Sequence, residues 1–320
     1  MTTDSMNSAE RSVGQLTAKE ELESIVHRFP SIVHSFGYGS GVFQQQANDS
    51  TAAPGMIDLI LVTENDAKGF HEANLARHAS HYSTVARLGG PCFCQHVQRD
   101  YGAGVFFHAM IPVQHSVIKY GVVTVEDLAK DLREWNHLYL AGRLHKPTVT
   151  IRAADVILEY QEIYNLPFAA STALLLLAES RRENIFLTEL YEQISHLSYA
   201  GDPRMGVGGE DPDKVQKLVH SPGQLDRFHQ LYKSPLKQLE QAGIISLSHD
   251  RLHWNPTEAR QGLRERLPPR LRHTANLGIQ LRQIVAPAAA GQAIKGIVTA
   301  GLTKSAQYAL AKLSKGLLKR

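Results

Sequence analysis

Two cysteines in 320 residues, Cys92 and Cys94, leave little scope for covalent or metal cross-linking. Separated by one residue, they are too close for an unstrained disulfide in an extended segment and too few for a structural zinc site. A reducing compartment suits such a chain. Long apolar runs are missing as well: no 18 consecutive residues are apolar and uncharged, which argues against a membrane-spanning helix. Acidic residues run out after Glu265, whereas ten lysines and arginines follow it. The net charge is +3, this last segment carries +10, and the remainder therefore carries −7. A basic arm on an acidic body implies an anionic partner. The first fifteen residues are polar and small, and disorder is expected there. Their two acids and one arginine differ from an arginine-rich transit peptide, which favours a bacterial protein or one whose presequence has been removed.

What is present is 43% hydrophobic content, enough for about two domains with real cores. "TAKEELESIVHRF" has helical spacing with a cap candidate at Thr17 and a stop at Pro30. "MIDLILVT" reads as a buried strand, and "HEANLARHASHYSTVARLG" as a helix ended by Gly89 and Gly90. "CFCQHVQ", "GVFFHAMIPV" and "SVIKYGVVT" read as extended segments. A helix then begins after Thr124, with Asp127 at its third position. Strands mixed with helices make residues 16–150 an α+β sheet domain. From 151 to 265 the pattern is helical with short connections, and "SPLKQLEQAGIISLSHDRLHWN" has the outline of a winged-helix-like unit. Residues 266–320 form the basic arm. From Leu302 onward, at about 100° per residue, Leu302, Ala306, Ala309, Leu310, Leu313 and Leu317 share one face, with Lys304, Tyr308, Lys312, Lys315 and Lys319 opposite. Such a helix is suited to lying on an anionic bilayer.

The stretch "FGYGSGVF" lacks the third glycine of a dinucleotide fingerprint and the lysine of a phosphate-binding P-loop. A glycine and a serine at a strand end can still offer N–H groups to phosphates. Asp58 interrupts the apolar strand that follows, and a carboxylate there needs a cation, a hydrogen-bond network or an exposed strand end. Gly-Ser followed by a strand aspartate is the nucleotidyltransferase arrangement, in which carboxylates hold Mg²⁺ against nucleotide phosphates. The usual second aspartate is replaced by Ile60, so another acid must come from elsewhere, with Glu64 and Asp202 as candidates. His71, His78 and His81 lack the HExxH pattern and read as packing or surface histidines.

The blocks "FGYGSGVF", "MIDLILVT", "HEANLARHASHYS", "DYGAGVFF", "IKYGVV", "LREWNHLYLAGRLHKP", "LSYAGDPRM" and "KGIVTAGLTKSAQYALAKLSKG" together resemble the mitochondrial phosphatidate cytidylyltransferases, the translocator assembly and maintenance family. The resemblance runs from about Phe29 to Gly316. It implies a nucleotidyltransferase domain joined to a winged-helix-like one. It also implies Mg²⁺-dependent formation of CDP-diacylglycerol, a cardiolipin precursor, and pyrophosphate from CTP and phosphatidate. Tyr38, Gly39 and Ser40 resemble the triphosphate cradle and Asp58 the principal metal ligand. Lys119 resembles a phosphate-neutralising lysine, with Tyr120 at the base or ribose. Asp202 is the expected remote acid and second metal ligand. Arg143, Lys146 and Arg204 are candidates for the phosphatidate phosphate.

The expected location is peripheral, on the cytoplasmic face of a bacterial plasma membrane or, in a eukaryote, on the matrix side of the inner mitochondrial membrane. No nucleic-acid partner is expected, and a homo-oligomer is left open. Two other readings compete: a nucleotidyltransferase with a soluble acceptor, and a winged-helix nucleic-acid-binding regulator.

Overall fold

A computed structural model describes residues 18–39, 41–43, 56–113, 116–202 and 213–300. After helix α1 (Ala18–Val26), strands β1 (His34–Tyr38) and β2 (Ile57–Thr63) pair antiparallel, with Tyr38 opposite Asp58. Helices α2 (Ala67–His78) and α3 (Thr84–Asp100) precede a hairpin of β3 (Phe106–Val113) and β4 (Ser116–Thr124). Strand β4 lies parallel to β2 and sets Lys119 level with Asp58. After α4 (Val125–Glu134) and the short α5 (Ala141–Leu144), β5 (Val149–Arg152) pairs antiparallel with β1. The strand order is β3-β4-β2-β1-β5, a mixed sheet in an α+β fold. Both faces of β2 are covered, which is why its sequence is nearly continuous in apolar residues. At one end of the sheet β1 finishes while β2 and β5 begin, and the candidate residues gather there.

Local chemistry sets the helix starts. The Asp66 carboxylate accepts from the Gly69 N–H at 2.8 Å, and the Thr124 hydroxyl accepts from the Asp127 N–H at 3.2 Å. Helix α3 corrects one expectation, because "CFCQHVQ" is helical. Gly90 sits at φ 71°, a kink rather than a stop, and Pro91 follows at the first turn of the renewed helix, where its missing N–H costs nothing. Cys92 is exposed and Cys94 buried, both as free thiols.

The second half runs through α6 (Asp155–Tyr160), a π-helical turn (Gln161–Asn165) and α7 (Leu166–Leu177), which is buried almost all round. A small sheet, in order β6-β8-β7, combines β6 (Asn184–Phe186), β7 (Ser246–Ser248) and β8 (Arg251–His253). Around it lie α8 (Leu187–Leu197), α9 (Lys214–His220), α10 (Gln224–Gln241) and α11 (Pro256–Glu265). A helix followed by a strand pair is what "SPLKQLEQ…LHWN" led one to expect. The third strand, β6, comes from far upstream. The border expected between residues 150 and 151 falls inside β5. One hydrophobic cluster runs across it, from Phe36, Ile60 and Val62 to Leu174, Tyr191, Phe228 and Leu263.

The last described helix, α12 (Leu277–Ala300), returns to the first half. The Gln292 side chain donates to the Val105 carbonyl at 2.9 Å and accepts from the Ala103 N–H at 3.3 Å. Lys295 is 3% exposed, and its ammonium donates to the carbonyls of Val97, Gln98 and Tyr101 at 3.1, 2.9 and 2.7 Å. Three N–H bonds meet three acceptors at the carbonyl end of α3, where a cation also suits the helix dipole. One charge of the basic arm is therefore an internal clasp and is not offered to a partner. Among the described residues no helix is long and apolar enough to cross a membrane.

Candidate active site

Strand register builds the centre of the site. Tyr38, Asp58 and Lys119 are lateral neighbours on β1, β2 and β4, so their side chains leave the same sheet face. The Lys119 Nζ lies 3.6 Å from the Asp58 Oδ1, and the two side chains are 20% and 25% exposed, accessible to a ligand. Beneath the lysine, the Phe107 ring centre is 4.8 Å from Nζ. Gly121 makes that possible, since a Cβ there would stand 2.7 Å from the Phe107 ring. Gly39 turns the chain at φ 81°, and a Cβ on it would lie 3.7 Å from Asp58 Oδ2. The absent side chain leaves the space beside the carboxylate open. Ile60, on the same face as Asp58, is fully buried in the core. A second strand carboxylate would there face hydrophobic packing rather than a ligand.

A turn after α4 supplies the cationic wall. Trp135 and Leu138 adopt left-handed backbone conformations, at φ 54° and 49°. The buried Asp131 carboxylate holds this turn by accepting five backbone N–H groups, from His137, Leu138, Tyr139, Leu140 and Ala141, at 2.9 to 3.2 Å. Arg143 follows on α5. Its guanidinium carbon lies 3.9 Å from the Tyr139 ring centre, 5.2 Å from that of Tyr38 and 6.0 Å from that of Phe107. The Tyr38 hydroxyl is buried against the Arg143 guanidinium, and the buried Arg143 Nε has no hydrogen-bond partner among the described residues, as expected of a group that awaits a polar ligand. Burial, reinforced by Asp58, raises the Tyr38 phenol further above its ordinary range, so it stays a proton donor.

Beside Arg143, the half-buried Lys146 ammonium donates to the Ser198 hydroxyl at 2.7 Å and lies 4.5 Å from the Tyr199 ring centre. The Lys214 ammonium reaches the same ring at 5.3 Å. Desolvation pulls Lys146 down to about 8. Gly142 lets the turn after α8 come close, because a Cβ there would stand 2.3 Å from the Ser198 Cβ.

Of the residues expected from sequence, Tyr38, Gly39, Asp58, Lys119 and Arg143 come together, and Lys146 lies beside them. Asp202 is 5% exposed on the Ser198–Asp202 turn, and its N–H donates to the Tyr199 carbonyl at 3.1 Å. Tyr120 requires a correction. It alternates with Lys119, so it faces the opposite side, fully buried, with its hydroxyl bound to Asn74 at 3.1 Å and His81 at 2.9 Å. Glu64 is also displaced: six residues from Asp58 along a strand is about 20 Å, too far to share a metal. His71 is buried between Tyr82 and Gln98, and His78 stacks on His81 with ring centres 4.8 Å apart. Ser40, Arg204, and the face from Leu302 to Lys319 lie outside the described residues.

Sequence reasoning missed Phe107, Asp131, Tyr139, Ser198, Tyr199 and Lys214. Asp131 serves only backbone groups, and the aromatic residues act through ring faces, so none leaves a spacing signal. Among the described residues no group of three or more His, Cys, Asp or Glu is placed to hold a metal. One carboxylate beside an open glycine still fits Mg²⁺, which characteristically takes one or two carboxylates and completes its shell with water and substrate phosphates.

A sequence model of the family described as "Phosphatidate cytidylyltransferase, mitochondrial" matches residues 22–277 and 256–315. Proteins of that name from Caenorhabditis briggsae and Xenopus laevis are 32% and 35% identical, over 93% of this chain in both cases and 99% and 94% of theirs. The one from Drosophila melanogaster is 40% identical over 69% of this chain and 66% of its own. A solved nucleotidyltransferase-like protein from Exiguobacterium sibiricum aligns over 71% of this chain and 74% of its own at 12% identity and a TM-score of 0.23. The extent of the family match and the identity to full-length relatives make this chain a member of the mitochondrial phosphatidate cytidylyltransferase family.

Proposed function

We propose that the protein is a phosphatidate cytidylyltransferase that makes CDP-diacylglycerol and pyrophosphate from CTP and phosphatidate at an anionic membrane surface. The observation that carries this reading is one accessible carboxylate, Asp58, in a side-chain cluster where Lys119, Arg143 and Lys146 outnumber it three to one. Such an excess is balanced by phosphates.

A phosphatidate phosphate oxygen attacks the α-phosphorus of CTP, and the bond between that phosphorus and its bridge to the β-phosphate breaks. A phosphate monoester, with a second pKa of about 6, is already largely ionised at neutral pH, so no strong general base is needed. Positioning and charge neutralisation carry the rate. Asp58 would hold Mg²⁺, with Asp202 as the second candidate ligand, and the ion's contribution is to neutralise charge on the triphosphate. Lys119 and the backbone at Gly39 and Ser40 stabilise the departing pyrophosphate. The Tyr38 hydroxyl donates to the same phosphates. Arg143, backed by three aromatic rings, and Lys146 receive the acceptor phosphate.

The lysines and leucines of residues 302–319 bring the site to the bilayer. Incubating the purified protein with labelled CTP, Mg²⁺ and phosphatidate vesicles tests the reading. A CDP-linked lipid is expected; turnover only with a water-soluble acceptor would overturn the lipid assignment.

A further inference from the structure

An open groove of about 720 Å³ lies in the helical half, a size suited to a small organic ligand. It shares no lining residue with the Asp58 cluster. Three segments form it: the end of α4 with Arg133, Glu134 and Asn136, the junction of the π turn and α7 with Tyr164 and Phe168, and the turn of Pro269, Arg270 and Arg272.

The arginines are not equivalent. Arg133 pairs with Glu134 at 2.6 Å, which neutralises both. Arg270 and Arg272 form no ion pair with any described residue. Each is instead held by backbone carbonyls. The Arg270 Nη1 donates to Trp135 and Asn136 at 3.3 Å, and the Arg272 Nε to Leu267 at 2.9 Å. A guanidinium carries five N–H donors, so anchoring at one nitrogen fixes its place and leaves donors for an anion. Two fixed, uncompensated guanidinium groups beside Tyr164 and Phe168 match a ligand with a phosphate ester next to an apolar stem. Inorganic phosphate would leave the aromatic wall unused. Both arginines also lie on the segment that feeds α12 and, beyond it, the lysine- and leucine-rich residues 302–319.

We propose that this groove binds the phosphate ester headgroup of an acidic phospholipid, as a second lipid site apart from the catalytic one. The proposal does not depend on the catalytic reading. Its test uses dihexanoyl phosphatidylglycerol, a water-soluble phosphodiester that lacks the ionised monoester needed to attack CTP. Calorimetric titration of the full-length protein is expected to give one site. Affinity should fall at least tenfold in R270Q/R272Q and remain unchanged in Lys119→Ala, which alters only the catalytic cluster. Dihexanoyl phosphatidylcholine should bind at least tenfold more weakly.

Competition by glycerol 3-phosphate at equal affinity would retain the phosphate site but reassign its natural ligand to soluble esters. Absence of binding in the wild type would overturn the proposal, as would unchanged affinity in R270Q/R272Q or equal affinity for the phosphatidylcholine. If the double variant unfolds on heating well before the wild type, Arg272→Gln alone serves, with a threefold or greater loss expected and no loss overturning the site.

Discussion

Tyr139 and Arg143, one helical turn apart, hold each other twice: the guanidinium covers the Tyr139 ring at 3.9 Å and its Nη1 donates to the Tyr139 carbonyl at 2.6 Å. The pair stands where it does because Asp131 gathers the N–H groups of the preceding turn.

That dependence predicts the effect of Asp131→Asn. The amide places a donor where N–H groups now point, which leaves several buried donors unpaired. A loss of roughly 2–4 kcal/mol of stability is expected. Because the loosened turn carries Arg143, KM for phosphatidate should rise about tenfold with a smaller change in kcat. Thermal unfolding and steady-state kinetics check both halves, and a variant as stable as wild type would contradict the role given to Asp131.

Asp58→Ala separates chemistry from folding. The Asp58–Lys119 pair is partly exposed, so its removal should cost only about 0–1 kcal/mol of stability. Cytidylyl transfer should fall about 100-fold or more, the scale of losing a charge-positioning group. Excess Mg²⁺ should not restore it. Near-normal turnover would remove Asp58 from the site.

Lys146 gives the site a pH response. With its ammonium pulled down to about 8, the cation that meets the acceptor phosphate is present below pH 8 and is lost above it. KM for phosphatidate should therefore rise as pH passes through about 8, and Lys146→Met should flatten that profile while raising KM throughout. Stability moves the other way. The folded value lies below the unfolded one of about 10.4, so the unfolded chain binds more protons between them and stability increases with pH across that window. A KM independent of pH from 7 to 9 in the wild type would exclude Lys146 from binding.

Membrane contact and folding can be separated by where the chain is cut. Deleting residues 301–320 should leave the unfolding temperature nearly unchanged and abolish flotation with anionic vesicles. Deleting residues 277–320 removes Gln292 and Lys295 as well, and it should destabilise the first half even in solution. Equal stability of the two truncations would refute the clasp.

The paired strands and the capped helix after Thr124 were legible because apolar runs and side-chain caps are local signals. Asp58 stood out for a similar reason, as a charge in an apolar run. The helical nature of Cys92–Gln98 was hidden by Gly89, Gly90 and Pro91, which end a helix in most settings but here bend one. Tyr120 was misplaced because sequence adjacency to Lys119 suggests a shared site, whereas adjacent strand residues face opposite sides. The aromatic stack under Arg143 draws Tyr38 and Phe107 from distant strands, and the Asp131 turn is set by backbone N–H groups whatever side chains they carry, so neither leaves a periodic trace.

Lys295 and Gln292 also have a bearing on how the protein comes into being. The carbonyls of Val97, Gln98, Tyr101 and Val105 are spanned by a helix encoded almost 200 residues later. During synthesis, at about 5–20 residues per second, the sheet emerges first and must wait with its α3 end uncapped until α12 has left the ribosome. Completion of the first half is thus timed by the emergence of α12, so a chain cut short before Gln292 and Lys295 would leave the carbonyls at the end of α3 unclasped.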